Sequence, residues 1–122
     1  MKSSLLVLAF SLALLSANSA FAVDMCVVAG NMGIMGTNMT AAFDVQSGQG
    51  CMYDIRPQGT LNSAKLSQRP RHGSVKMVDK DTWTYEAAKG YRGADSFAIT
   101  AQGKSVDEKP GTSVLSFTVN VK

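Results

Sequence analysis

The chain has 122 residues, 45% hydrophobic and 17% charged, with 11 Gly, 3 Pro, 2 Cys and a formal net charge of +3 at pH 7. This length holds one small domain with a thin core. It excludes large multi-step enzymes, doubly wound nucleotide folds and multi-span transporters, while the mild charge does not demand a nucleic-acid partner.

Residues 1–22 read as a cleaved signal peptide. Lys2 supplies the positive start, residues 5–15 the apolar core, and Ala20-Phe21-Ala22 an A-x-A-type cleavage signal. Cleavage after Ala22 starts the domain, residues 23–122, at Val23 and leaves 11 basic against 9 acidic residues. The apolar run falls short of the about 20 residues that a bilayer span needs, and no later segment approaches that length. Val23-Asp24-Met25 before Cys26 does not resemble a lipoprotein box.

An even cysteine count in an exported chain predicts a disulfide between Cys26 and Cys51. Closing that loop removes roughly 3–3.5 kcal/mol of unfolded-state entropy. The two lie too far apart for a C-x-x-C redox pair.

Along the domain, period-two alternation dominates and helical periodicity is absent. After a weak strand candidate at 26–29, Met39, Ala41, Phe43 and Val45 share one face. Cys51, Tyr53 and Ile55 alternate with Met52, Asp54 and Arg56, and 61–66 is a second weak candidate. Val75 and Met77 flank Lys76, and Trp83 and Tyr85 flank Thr84. Phe97, Ile99 and Ala101 share a face, as do Leu115, Phe117, Val119 and Val121. Turn residues punctuate these runs at 30–36, 47–50, 57–59, 70–73, 79–81, 90–93, Gly103-Lys104 and Pro110-Gly111. About seven to eight short strands, each apolar on one side, predict an all-β, antiparallel β-sandwich. The polar stretch 104–111 is expected to join the last two strands.

Three pieces of the second half carry a resemblance. They are Pro70-Arg71-His72-Gly73-Ser74-Val75, Trp83-Thr84-Tyr85, and Gly90-Tyr91-Arg92-Gly93-Ala94-Asp95-Ser96-Phe97. Together they resemble the bacterial Ig-like, cadherin-like domains that occur in tandem arrays on surface proteins. The likeness covers residues 70–122. Ala87 stands where that pattern has Pro, and Ile99 where an aromatic is frequent. The resemblance implies an Ig-like sandwich and structural roles for Pro70, His72, Gly73, Tyr85, Tyr91, Gly93, Asp95 and Phe97. Locally, Asp95 is expected to accept backbone N–H bonds in the turn before its strand, and Gly93 to supply the backbone geometry of that turn. Tyr91 is expected to place its hydroxyl on a backbone carbonyl, in the manner of a tyrosine corner. Phe97 is expected to begin the inward face.

His72 is the only histidine. A hydrolase reading needs a nucleophile and an orienting acid beside it, and no G-x-S-x-G elbow accompanies it. Met32, Met35 and Met39 lie three and four residues apart in a Gly-rich segment, and converging thioethers suit Cu(I). Met39 equally fits the inward face of its strand, and Met is an adaptable core filler. Arg56, Lys65, Arg69, Arg71, His72, Lys76 and Lys80 make the middle of the chain basic, either as one patch for an anionic envelope component or as ordinary solvated surface. Asp79-Lys80-Asp81 and Asp107-Glu108 are too sparse for a calcium loop, and Asn38-Met39-Thr40 matches a glycosylation sequon.

The expectation is an exported, non-enzymatic module in the periplasm or outside the cell, without a cofactor. It would present a surface to a protein or an anionic envelope polymer. The alternative is a periplasmic copper-binding protein using Met32, Met35 and Met39.

Overall fold

The computed structural model describes residues 24–30 and 32–122. The leader, the start at Val23 and Asn31 lie outside the described residues. Among the described residues nine strands are formed: β1 Asp24–Met25, β2 Ala29–Gly30, β3 Met39–Val45, β4 Gly50–Asp54, β5 Thr60–Gln68, β6 Gly73–Met77, β7 Thr82–Ala87, β8 Gly93–Lys104 and β9 Pro110–Val121. They build two facing sheets, β1-β4-β7-β6 and β2-β3-β9-β8-β5. This is the two-sheet sandwich read from the alternation, and it has the Ig-like form that the resemblance implies. Its seven longer strands match the expected number, and the two extra strands have two residues each.

The alternation translates directly into burial. On β9, Leu115, Phe117, Val119 and Val121 are buried while Ser116, Thr118 and Asn120 are exposed. Phe97, Ile99 and Ala101 of β8 and Met39, Phe43 and Val45 of β3 face the same interior. Trp83 and Tyr85 of β7 enter from the opposite sheet, both fully buried. Trp83 sits edge-on to Phe97 and Phe117, with ring centroids 4.9 Å apart in each pair, and Phe97 and Phe117 stack on one another at 4.9 Å. Burying each such side chain stabilises the fold by about 1.5–3 kcal/mol, so this ring cluster dominates a thin core.

Several expectations are corrected. The sandwich is not wholly antiparallel, because β3 pairs with β9 and β1 with β4 in parallel. The first and last long strands meet at the centre of one sheet, which a sequence-local pattern does not encode. Of the 26–29 candidate only Ala29, the first residue of β2, lies in a strand. Cys26 is bridged to Cys51 and its N–H donates to the Met52 carbonyl (2.8 Å), so the chain crosses there from one sheet to the other. β8 and β9 run twelve residues each, past the expected turns at Gly103-Lys104 and Pro110-Gly111. Within β8, position 103 takes glycine because a Cβ there would collide with the Thr60 carbonyl of β5, so this glycine marks close strand approach and not a turn. The joining loop is only residues 105–109, closed by Ser105 N–H donating to the Lys109 carbonyl at 2.9 Å.

The disulfide is formed, with Cα atoms 4.9 Å apart. It clamps residues 24–30 as a strap along one side of the sandwich, β1 on β4 and β2 on β3. Two-residue strands hold little by themselves, so the covalent link carries most of this attachment.

Candidate functional site

Three links gather at one end of the sandwich: residues 46–49, 69–72 and 88–92. The chain end joins them, with Lys122 N–H donating to the Val45 carbonyl and the Lys122 carbonyl accepting from Ser47 N–H. Ala87 N–H donates to Gln49 O and Ala88 N–H to His72 O, each at 2.9 Å, and Gly90 N–H donates to Ser47 Oγ at 3.0 Å. These crossed bonds make the three links one platform.

Asp95 anchors the platform from beneath. It is 6% exposed, and its carboxylate accepts from four donors. Oδ1 takes Arg71 N–H (3.0 Å) and Ser96 N–H (2.9 Å); Oδ2 takes His72 N–H (3.2 Å) and the Tyr85 hydroxyl (2.7 Å). The expected turn role is therefore corrected. Asp95 lies in β8, and apart from Ser96 its donors come from a distant link and from the opposite sheet. Burial, then the bond to the Asp95 carboxylate and its charge, push the Tyr85 phenol far above its ordinary value and keep it a donor.

The neighbouring glycines explain the rest of the motif. A Cβ on Gly73 would lie 2.6 Å from the Glu86 carbonyl oxygen and 2.7 Å from the Tyr85 ring, so only glycine lets that ring reach Asp95. Gly93 has φ +134°, and a Cβ there would approach the Tyr91 hydroxyl to 3.0 Å. That hydroxyl donates to the Ala94 carbonyl at 2.6 Å. Pro70 is half-buried in the link before His72, and Phe97 follows Asp95 on the inward face. The inward face thus begins at Asp95, one step earlier than expected.

The His72 ring stacks on the Tyr91 ring, with centroids 3.8 Å apart and planes nearly parallel at 4°. Asp95 meets the His72 backbone N–H and not its imidazole, so acid and ring do not form the pair that a triad needs.

The methionines lie at the other end. Met35 and Met39 are buried in the core at 1% and 4% exposure, and Met32 packs half-buried against it. The Ser113 hydroxyl donates to Met35 Sδ (3.5 Å) and accepts from Gly36 N–H (2.9 Å). Met35 N–H donates to Gln58 O, and Gln58 N–H to Gly33 O. This segment caps the sandwich, and packing accounts for two of its three thioethers.

The basic side chains read as one stretch are divided. Arg56 and Lys80 sit at the capped end, Arg56 3.7 Å from Asp54. Lys76 lies on the outer face of the four-stranded sheet and Lys65 on that of the five-stranded sheet. The cause is the crossover between β5 and β6, which sends near neighbours in sequence to different sheets. Only Arg69 and Arg71, with His72, occupy the stapled platform. The fold adds Lys89 and Arg92 beside them, and Lys122, which pairs with Asp44 at 2.9 Å. Arg92 sits inside a motif whose structural meaning hid its charge; the pairing of that motif with the Pro70–Gly73 motif was the signal that the two links meet.

A family model described as bacterial Ig domain matches residues 27–121 of the chain. No curated protein matches it.

Proposed function

The chain belongs to the bacterial Ig-domain family, and from that premise we propose that it is an exported, non-enzymatic binding module of the cell envelope. It presents the stapled platform to another envelope component, in the periplasm or outside the cell. The observation that carries this reading is the carboxylate of Asp95, buried under three links and holding two of their backbone N–H groups. A group spent in this way fixes a surface and is itself not free to act as an acid or base. The Cys26–Cys51 bridge supports an oxidising compartment, and the sequence of residues 1–22 supports the route to it.

The test is expression of the full chain in a bacterium, with and without residues 2–22, followed by fractionation, intact mass measurement and chemical cross-linking. The expected product begins at Val23, lacks two hydrogens relative to the dithiol, leaves the cytoplasm and cross-links to an envelope component. Retention in the cytoplasm with two free thiols, or export with nothing cross-linked, overturns the reading.

A further inference from the structure

Four of the nine cations that lack an ion pair among the described residues lie on two adjoining links of the platform, with Lys89 at the Gly48 side of that corner. Arg69, Arg71, Lys89 and Arg92 are exposed, and none forms an ion pair among the described residues. The Ala88–His72 hydrogen bond and the His72–Tyr91 stack bring their two links together. The acid beneath them, Asp95, is turned inward with protein donors on both oxygens. Elsewhere at this end Asp44 is taken by Lys122, while Asp24 and Glu86 lie on the strap and on the outer face of the four-stranded sheet. The opposite end mixes signs: Arg56, Lys80, Lys104 and Lys109 lie among Asp54, Asp79, Asp81, Asp107 and Glu108.

The corner is open, and its apolar surface is the half-exposed His72–Tyr91 stack. A Cβ at Gly90 would meet nothing within 4 Å. The exposed large apolar residues, Met25, Val27, Ile34, Val78 and Val106, all lie outside residues 69–72 and 88–92. A lipid surface is held most firmly where a large apolar side chain inserts beside the cations, and a protein interface is built around an apolar core; the large exposed apolar side chains of the described residues lie elsewhere. The corner offers guanidinium forks that match carboxylate and phosphate groups, beside a half-exposed aromatic stack on which the apolar face of a sugar can lie. Single exposed ion pairs are weak, so the fitting ligand is one that repeats its charge along a chain.

Resting on the binding-module reading, we propose that this corner binds an anionic polysaccharide. Arg69, Arg71, Lys89 and Arg92 hold its carboxylate or phosphate groups, and the His72–Tyr91 stack lies under its sugar rings.

The test uses the mature, disulfide-bonded protein against immobilised polygalacturonate, dextran phosphate and neutral dextran. Phosphatidylglycerol vesicles and polyglutamate are run in parallel. Binding is expected to one or both charged polysaccharides and not to dextran, and the preferred one identifies the acidic group. Raising salt from about 50 to about 300 mM should weaken binding about tenfold or more, because exposed charges are screened. Arg71→Glu/Arg92→Glu should weaken it about tenfold or more with Tm unchanged, while Lys65→Glu/Lys80→Glu, the same charge change elsewhere, should alter it less than about twofold. Equal losses in the two double variants, no binding to either charged polysaccharide, or equally strong binding to vesicles or polyglutamate overturns the proposal. Cross-linking to an envelope component that survives Arg71→Glu/Arg92→Glu also overturns it and leaves the binding-module reading standing. Failure of that reading itself appears separately, as export without any cross-linked component.

Discussion

Replacing Asp95 with Ala strands four donors at once. The Tyr85 hydroxyl is fully buried and has no water to turn to, so its loss costs the full desolvation penalty of about 1–3 kcal/mol. Arg71 N–H and His72 N–H lie nearer the surface and regain part of their hydration, so about 1 kcal/mol each is expected. Ser96 N–H adds little, because its bond is local. The sum is about 3–5 kcal/mol, against a total stability of about 5–15 kcal/mol for a domain of this kind. At about 4–8 °C per kcal/mol, Tm should fall by at least about 12 °C. Asp95→Asn keeps the shape but turns an N–H₂ toward donors, and should cost about half as much. Tyr85→Phe removes the stranded hydroxyl together with its bond and should cost about 1–1.5 kcal/mol. Urea unfolding at pH 7 with the disulfide intact measures all three. A loss below about 1 kcal/mol for Asp95→Ala would refute the claim that this carboxylate holds the platform.

Three more outcomes follow from the same geometry. The folded Tyr85 phenol is raised above the value of about 10 that it has in the unfolded chain, so its contribution is complete below pH 10 and lost as pH rises through the folded value. The stability gap between wild type and Tyr85→Phe, from urea curves at successive pH values, should therefore shrink or reverse above about pH 10. Reducing Cys26–Cys51, or replacing both with Ser, should cost about 3 kcal/mol. It should also free the strap, seen as faster amide exchange at residues 24–30 and at the Met52 carbonyl's partner, Cys26 N–H, while β8 and β9 stay protected. Gly73→Ala should destabilise by more than about 2 kcal/mol because backbone and ring both block a Cβ. Gly90→Ala, with open space but φ +89°, should cost only about 1 kcal/mol by the same measurement.

The layered sandwich was legible in the chain because it depends on a local regularity. Pleating sends alternate residues to opposite faces, so Leu115-Ser116-Phe117-Thr118-Val119 announces one dry and one wet face without reference to any partner. The cysteine pair was legible for a similar reason, since two cysteines leave one intramolecular pairing. The second-half motif marked the residues that matter, but the work of Asp95 was not legible. Its donors on Arg71, His72 and Tyr85 lie 24, 23 and 10 positions away, and only strand pairing sets those distances. The basic residues failed in the same way. Lys65, Arg71 and Lys76 are near in sequence, yet the crossover from β5 to β6 sends Lys65 and Lys76 to opposite outer faces. Lys89 and Arg92 reach Arg69 and Arg71 through the Ala88–His72 hydrogen bond and the His72–Tyr91 stack. Periodicity, composition and cysteine count therefore determine what this protein is built from and which face of each strand is dry. The parallel meeting of β3 with β9, the platform and its cationic corner were decided by tertiary pairing, because a charge or hydrogen bond acts over a few ångströms of space and not along the chain.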